Sequence, residues 1–232
     1  MTPLRIGEAR VTHTDVARVA RGELAVELTG DASWHDRMRA SRAAVDARAR
    51  SGEPFYGVNT GLGASVVNSI AAEHRGSLAV NLFRYHGCGV GPALGPDEVR
   101  AVIVARLAQL AAGWSGIRLE TMRAMVDLLA HDLLPVIPEL GSVGASGDLT
   151  PMSYVAAVLS GEREVSVAGR VCPAAEALAA AGLAPITLGP KETLSIMNGT
   201  SVMTALVSLA LDRAERFARA HARVTADRKS VV

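Results

Sequence analysis

Apolar residues that recur every three or four positions limit the fold of this 232-residue chain more than any other feature. They fill residues 96–112, 119–134 and 191–226, and this spacing is typical of one face of an α-helix. Hydrophobic residues make up 49% of the chain, alanine is abundant, and aromatic residues account for only 3%. Such a composition suits closely packed helices better than a β-sandwich, so the sequence predicts a mainly α-helical fold.

Smaller elements are predicted between these runs. Short strands are expected at residues 4–6 and 25–28, and a hairpin at 164–171 that turns at Ala168-Gly169. Capping and stop signals predict the remaining helices, at residues 14–21, 31–50, 68–83, 149–159 and 174–181. The long helical pattern after residue 190 is expected to break once, at Asn198-Gly199-Thr200.

Charge, cysteine content and glycine spacing argue against several classes of partner. The net charge of +1 provides no broad basic field for nucleic acid. Two cysteines and six dispersed histidines predict no metal site, and the loop at residues 61–66 lacks the third glycine of a nucleotide-binding turn. No uncharged stretch reaches membrane-spanning length and no signal peptide is recognised at residues 1–7, so a cytoplasmic protein without a membrane partner is expected.

A stretch of small residues, 141–154, begins with three glycines in seven positions and ends in an apolar helix. Its centre is Ala145-Ser146-Gly147, followed by Asp148, which we expect to cap the helix at 149–159. The tripeptide is therefore expected at a helix N-terminus, where backbone N–H groups favour negative charge. A crowded, reactive backbone at a helix N-terminus indicates that this segment takes part in a chemical reaction. A serine hydrolase is disfavoured, because Asp148 stands where the nucleophile turn needs a glycine.

Three further segments place a polar side chain in glycine-lined or broken backbone. Tyr56 lies in the loop at residues 52–64, His86 follows Tyr85 at the start of a glycine cluster, and Asn198 interrupts the long helical pattern. A core tyrosine or a helix-breaking asparagine could arise for structural reasons alone. Together with the Ala-Ser-Gly stretch, however, the three segments favour an active site.

These segments resemble the aromatic amino acid ammonia-lyase family, which comprises histidine, phenylalanine and tyrosine ammonia-lyases and related aminomutases. The strongest element is Gly141-Ser-Val-Gly-Ala-Ser-Gly-Asp-Leu-Thr-Pro151. Three more blocks follow the family order: Phe55-Tyr-Gly-Val-Asn-Thr-Gly-Leu-Gly63, Gly113-Trp-Ser-Gly-Ile-Arg118 and Lys191-Glu-Thr-Leu-Ser-Ile-Met-Asn-Gly-Thr200. The resemblance runs from about Leu4 through Arg213. It implies a long-helix bundle, with small β elements in its first part, assembled as a homotetramer with shared active sites.

The resemblance also implies a prosthetic group, 4-methylidene-imidazol-5-one, formed autocatalytically from Ala145-Ser146-Gly147. The Gly147 nitrogen would attack the Ala145 carbonyl, and Ser146 would lose its hydroxyl to leave an electrophilic methylene for the substrate amine. Tyr56 matches the tyrosine that removes the β-proton of the substrate. A tyrosine has an ordinary pKa of ~10, so it needs groups that stabilise its phenolate to act as a base. Asn198 matches the asparagine that hydrogen-bonds the prosthetic group.

Four residues match family positions that contact the substrate. Leu62 and Gly63 match a loop that shapes the pocket, and Tyr85-His86 matches the pair that meets the substrate side chain. The resemblance associates Ser-His with histidine lyases, Phe-Leu with phenylalanine lyases and His-Leu with tyrosine lyases. Tyr85-His86 fits none of these pairs, but His86 could bond an imidazole or a phenol. Histidine or tyrosine is therefore favoured over phenylalanine as substrate.

Enzymes of the family are considerably longer than this chain. The resemblance therefore implies a domain at residues 1–190 that carries the prosthetic group, and the start of a central helical bundle at 191–232. The remainder would supply a glutamine, a second tyrosine, an arginine and a glutamate to the active site, and the apolar face at residues 202–211 would lack its partners.

The function predicted from these residues is elimination of ammonia from histidine or an aromatic L-amino acid to give the α,β-unsaturated acid. Two alternatives remain open at this point. One is an aromatic amino acid 2,3-aminomutase that uses the same prosthetic group. The other is a non-catalytic fragment or paralogue whose helices serve only in assembly.

Overall fold

The structure, a computed structural model, describes residues 2–143 and 147–227. The helices in these ranges are α1 (His13–Ala20), α2 (Ala32–Arg50), α3 (Arg75–His86), α4 (Pro96–Leu110), α5 (Leu119–Ala130), α6 (Leu149–Leu159), α7 (Ala174–Ala180), α8 (Glu192–Met197) and α9 (Ser201–Asp227). The strands are β1 (Leu4–Ile6), β2 (Val26–Leu28), β3 (Val90–Ala93), β4 (Leu134–Pro135), β5 (Pro138–Leu140), β6 (Glu164–Val167) and β7 (Arg170–Pro173). Short 3-10 helices lie at Gly63–Val67 and Ala72–His74. The prediction of a mainly helical chain with small β elements is confirmed.

Helix α4 lies at the centre of one half of the core, where it packs against α1, α5 and α9. It begins at Pro96, and Glu98 in its first turn accepts a hydrogen bond from the Gly95 N–H at 2.7 Å. Proline and acidic residues favour the start of a helix. Nearly every side chain from Val99 to Leu107 is buried, so the helix is enclosed on all sides rather than amphipathic.

A second layer brings together the elements that carry the candidate site. Helix α6, which is buried from Pro151 to its end at Leu159, packs against both α3 and α8. The small sheets lie around these helices: β1 pairs in parallel with β2, β3 pairs antiparallel with β5, and β4, β6 and β7 form an antiparallel sheet. The predicted hairpin is therefore present as β6 and β7, while the sequence predicted neither β3 nor β5.

Helices α3 and α5 differ most from their predicted bounds. Helix α3 begins at Arg75 rather than at residue 68, because the preceding backbone bonds to the Tyr56 loop: Gly61 N–H donates to the Asn68 carbonyl at 2.9 Å. Helix α5 ends at Ala130 rather than at residue 134. Asp132 adopts a φ of +53°, which turns the chain out of the helix so that Leu134 and Pro135 can pair with β6.

Helix α9 has one covered face and one exposed face. Val202, Ala205 and Leu209 are buried, and the helix packs against α1 and α4. The opposite face exposes Met203, Val207 and Leu211, and the later part of the helix exposes Phe217 and Val224. The predicted unpartnered face therefore exists, but Val202 is not part of it. None of the described helices is both long and apolar enough to cross a membrane.

Candidate active site

The loop that carries Tyr56 is shaped by the side chain of Asn59, which is buried. Asn59 Oδ1 accepts a hydrogen bond from the Phe55 N–H at 2.7 Å, and its Nδ2 donates to the Glu53 carbonyl at 2.7 Å. The Tyr56 side chain is 46% exposed, and its phenol oxygen accepts a hydrogen bond from the Gly63 N–H at 3.1 Å. The loop thus closes on itself and directs a backbone donor at the phenol oxygen.

Gly57 lets this loop lie directly on helix α8. Its φ is +69°, and an ideal Cβ there would lie 2.8 Å from Leu194 Cδ2, so a larger residue would be both strained and crowded. The carbonyl of Leu194 accepts a hydrogen bond from the Asn198 N–H at 2.8 Å, and Asn198 ends the helix with an exposed side chain. Tyr56 and Asn198 are therefore carried by a loop and a helix in direct contact.

Tyr85 and His86 form the last turn of α3, and their ring centroids are 4.4 Å apart. His86 Nδ1 lies 2.9 Å from the Leu82 carbonyl and must be the donor, because a carbonyl only accepts. Burial, and then the nearby Tyr56, raise the pKa of Tyr85, whose side chain is 58% exposed. The Tyr85 hydroxyl therefore stays protonated and close to Tyr56.

Gly147 lies beside the broken helix that carries Asn198. It forms a parallel bridge with Gly199, in which the Asp148 N–H donates to the Gly199 carbonyl at 3.3 Å. On the other side, the Val143 N–H donates to the Gly147 carbonyl at 3.3 Å. Ala145 and Ser146, the other two residues of the tripeptide, lie outside the described residues.

The carboxylate of Asp148 does not cap its own helix. The residue lies just before α6, as predicted, but its Oδ2 accepts hydrogen bonds from Val202 N–H at 2.7 Å and Met203 N–H at 3.3 Å. Its Oδ1 accepts one from the Ser142 hydroxyl. The predicted cap of α6 is therefore wrong: the side chain satisfies free N–H groups at the start of α9, which begins close to the start of α6.

Sequence reasoning missed Arg106, whose side chain is only 4% exposed. Its guanidinium donates hydrogen bonds to the carbonyls of Ser195 and Asn198, and to Gln109 Oε1 at 2.8 Å. Burial lowers the pKa of Arg106 to about 10, and the negative charge of Asp148 acts in the opposite direction. The signal in the sequence was a single charged residue inside the apolar run of α4, a place where a charge needs partners.

Glu192 joins two of the sequence blocks that carry the family resemblance, although 74 positions separate it from Arg118. The fully buried carboxylate accepts hydrogen bonds from Arg118 Nε at 2.8 Å, Thr121 Oγ1 at 2.7 Å and the Gly189 N–H at 2.7 Å. Burial works to raise its pKa, but the hydrogen bonds from Arg118, Thr121 and the backbone hold the pKa of Glu192 below its ordinary value. This network fixes the start of α8.

Replacement of Glu192 by Gln is expected to lower the free energy of unfolding by roughly 2–4 kcal/mol, because hydrogen bonds to a buried charge are lost and Arg118 loses the carboxylate with which it is paired. Denaturant unfolding of the chain measures this change. The matched control is Glu162→Gln, since Glu162 pairs with Arg84 at the surface, where solvent screening leaves an ion pair with little effect on stability. Equal losses in the two variants would contradict the structural role of Glu192.

Glu192→Gln is also expected to change how the free energy of unfolding depends on pH. The folded-state pKa of Glu192 lies below its unfolded value of about 4.3, so its stabilisation is complete above that value. This stabilisation is lost as the pH falls through the folded-state pKa. Glu192→Gln should therefore differ most from the unsubstituted chain near neutral pH and least in acid.

The predicted site residues thus fall into two groups on adjoining elements. Tyr56, Leu62, Gly63, Tyr85 and His86 lie on the loop and on the end of α3, and Gly147 and Asn198 lie where α6 begins and α8 ends. Leu62 packs against the core. The contacts of α3 with both α6 and α8 connect the two groups. The substrate-binding and catalytic roles of these residues stay predictions.

Comparison with known proteins identifies relatives across most of the chain. The aromatic amino acid lyase family model matches residues 11–228. The histidine ammonia-lyase of Myxococcus xanthus is 46% identical over 204 residues, which is 88% of this chain and 40% of that enzyme. The chain therefore spans about two-fifths of the length of the curated relatives it matches.

Solved structures give the same result for the fold. The tyrosine aminomutase from Streptomyces globisporus superposes with a TM-score of 0.84 at 37% identity, over 92% of this chain and 40% of that one. The histidine ammonia-lyase from Trypanosoma cruzi superposes with a TM-score of 0.85 at 30% identity, over 94% and 42%. The family model matches more than nine-tenths of the chain, and the two solved structures share its fold. The chain therefore belongs to the aromatic amino acid lyase family.

Proposed function

We propose that the protein eliminates ammonia from an L-amino acid with a polar ring, histidine or tyrosine, and releases the α,β-unsaturated acid. The observation that supports this most strongly is the pairing of Gly147 with Gly199 directly beside Asn198. The described end of the Ala145-Ser146-Gly147 tripeptide thus pairs with the residue that follows Asn198, whose amide the family resemblance assigns to the prosthetic group.

The residues fit the formation of 4-methylidene-imidazol-5-one. In the proposed ring closure the Gly147 nitrogen bonds to the Ala145 carbonyl carbon. That carbonyl oxygen leaves as water with the hydrogens of the Gly147 and Ser146 amides. Ser146 then loses its hydroxyl and its α-hydrogen as a second water. Gly147 has no side chain to obstruct the attack, and its carbonyl and the next N–H are already held by Val143 and Gly199. When formed, the group supplies an electrophile for the substrate amine.

The chain's own residues would move the proton and orient the substrate. Tyr56 is the proposed base for the β-proton, and the Gly63 N–H is placed to stabilise negative charge on its oxygen. Asn198 offers an amide that can both donate and accept. These roles require the Tyr56 phenol and the Asn198 amide to reach the same substrate molecule. The contact between Gly57 and Leu194 supports this, because it holds the Tyr56 loop against the helix that ends at Asn198.

The side chains of Tyr85 and His86, at the end of α3, favour a substrate with a polar ring. Because His86 donates through Nδ1 to the Leu82 carbonyl, its neutral form carries an acceptor at Nε2, and that nitrogen has no partner within residues 2–143 and 147–227. The protonated Tyr85 hydroxyl adds a donor. An imidazole N–H or a phenol O–H can bond to such a pair, whereas a phenyl ring cannot.

A second candidate function is a 2,3-aminomutase, in which ammonia returns to the β-carbon. The structural likeness to the tyrosine aminomutase of Streptomyces globisporus favours it. The two functions share every residue discussed above, so they differ in product rather than in the site.

A substrate assay separates these functions. The chain is incubated with histidine, tyrosine and phenylalanine, alone and with the unmatched part of the Myxococcus xanthus enzyme co-expressed; we call the second form the complemented chain. We expect ultraviolet absorbance of an unsaturated acid, together with ammonia, from histidine or tyrosine. A β-amino acid would show the aminomutase reaction. No product from any amino acid, with the complemented chain folded, would contradict both functions and favour a role in assembly alone.

We also propose that the exposed face of α9 joins a helical bundle with other copies of the protein, as a homotetramer. Met203, Val207 and Leu211 form an apolar stripe at four-residue spacing, and such a stripe favours association. Sedimentation of the complemented chain is the test. A tetramer is expected, and a stable monomer would contradict the proposal.

A further inference from the structure

We infer that Arg106 is a positioning residue of this site, which holds the Asn198–Gly199 main chain against Gly147. The inference rests on the proposed function for its catalytic meaning. The arrangement itself consists of contacts between α4, the end of α8 and the start of α6, and these can be tested without any turnover.

The guanidinium of Arg106 closes the C-terminal end of α8. The last carbonyls of a helix have no partner within the helix, and those of Ser195 and Asn198 both accept from Arg106 Nη2. A cation is also favoured at this end of a helix by the helix dipole. Nη1 is anchored in turn by Gln109 Oε1 at 2.8 Å, one turn further along α4. Arg106 therefore replaces the hydrogen bonds that a continuous helix would have made through Asn198.

Gly199 transmits this anchoring to the prosthetic-group segment. A Cβ on Gly199 would collide with the Arg106 guanidinium, so the close approach requires glycine at this position. The carbonyl of Gly199 accepts a hydrogen bond from the N–H of Asp148, and Asp148 directly follows Gly147. One chain of contacts thus leads from α4 through Asn198 and Gly199 to the backbone that must cyclise.

Only an arginine suits this position. Its planar fork presents five N–H donors and can reach several acceptors at once, whereas a lysine offers a single nitrogen. The burial is costly: Arg106 Nε has no hydrogen-bond partner among the described residues, and an unsatisfied buried donor destabilises a fold. Since apolar replacements of buried charges are often tolerated or stabilising, stability alone does not account for an arginine here. The need to hold the Asn198–Gly199 main chain in position accounts for the arginine.

The test compares Arg106→Lys and Arg106→Met with Arg100→Met. Arg100 is the control on the same helix: like Arg106 it donates to a backbone carbonyl, and it pairs in addition with the Asp132 carboxylate, but it lies away from the site. Amide hydrogen exchange is followed by mass spectrometry in peptides that contain Asp148 and residues 196–203. We expect exchange there to rise on the order of tenfold in both Arg106 variants and to stay unchanged in Arg100→Met.

Unchanged exchange at Asp148 and at residues 196–203 in a folded Arg106→Lys variant would overturn the inference. If Arg106→Met does not fold, the lysine variant decides the question. A rise that is equal across all helices would mean general destabilisation, and it too would contradict a local positioning role.

Two further readouts connect the position to the chemistry. In the complemented chain, the fraction of the peptide at residues 145–147 that has lost two waters should fall in the order unsubstituted, lysine variant, methionine variant. Where turnover is measurable, kcat should fall more than KM changes, because a displaced Asn198 fails in the transition state. If the unsubstituted complemented chain shows neither dehydration nor turnover, the proposed function fails, and the exchange experiment still decides the role of Arg106.

Discussion

Tyr56→Phe is expected to lower kcat of the complemented chain on the order of 10²–10⁴-fold, because it removes the proposed base for the β-proton. This loss corresponds to roughly 3–5 kcal/mol of transition-state stabilisation. The substitution removes the hydrogen bond from the Gly63 N–H to the phenol oxygen. It keeps the ring, the Asn59 hydrogen bonds and the contact of Gly57 with Leu194, so the loop should retain its shape. The dehydrated peptide at residues 145–147 should still form, which separates loss of a base from loss of the prosthetic group.

Tyr154→Phe is the matched control for this experiment. Tyr154 lies buried in α6 with the Arg163 guanidinium 4.5 Å from its ring centroid, and that contact depends on the ring rather than the hydroxyl. Turnover in this variant should stay close to that of the unsubstituted protein. Normal turnover of Tyr56→Phe would contradict the assignment of Tyr56 as the base.

Ser146→Ala is expected to have an even larger effect, a loss of turnover on the order of 10³-fold or more, which equals roughly 4 kcal/mol of barrier or more. Without the serine hydroxyl there is no second water to lose, so no exocyclic methylene can form. The substrate amine then has no electrophile, and no ordinary side chain supplies one. Turnover and the mass of the peptide at residues 145–147 are measured on the same sample.

The control for Ser146→Ala is Ser153→Ala in α6. Among the described residues, the Ser153 hydroxyl has one partner, the Thr150 carbonyl of its own helix, to which it donates at 2.6 Å. Its removal should leave both turnover and the peptide mass unchanged. A Ser146→Ala variant that still turned over its substrate at the normal rate would exclude the proposed chemistry.

Local patterns in the sequence predicted most of the elements that carry the site. Helix α2 fills the predicted residues 31–50 except for Asp31, which caps it by accepting from the N–H groups of Ser33 and Trp34, and α6 occupies the predicted residues 149–159. The break at Asn198-Gly199-Thr200 was also predicted, since glycine after asparagine interrupts a helix. These features depend on residues only a few positions apart.

Long-range contacts could not be predicted in the same way. The carboxylate of Asp148 binds α9, 54 positions away, because a buried N-terminus needs an acceptor that its own segment does not provide. Arg106 reaches Asn198 across 92 positions, and its sequence context indicates only that a charge is buried. The end of α5 was missed for a related reason, since Leu134 pairs with a strand that comes much later in the chain. The motifs identified the candidate site residues, but the long-range contacts that hold these residues in place are visible only in the folded structure.

The mass of the peptide that contains Ala145-Ser146-Gly147 is the most direct test of the proposed chemistry. The complemented chain is digested, and this peptide is compared with the mass calculated from its sequence. Formation of the prosthetic group predicts a deficit of two water molecules in the unsubstituted protein and the full calculated mass in Ser146→Ala. An intact, fully hydrated Ala-Ser-Gly in a folded complemented chain would contradict it.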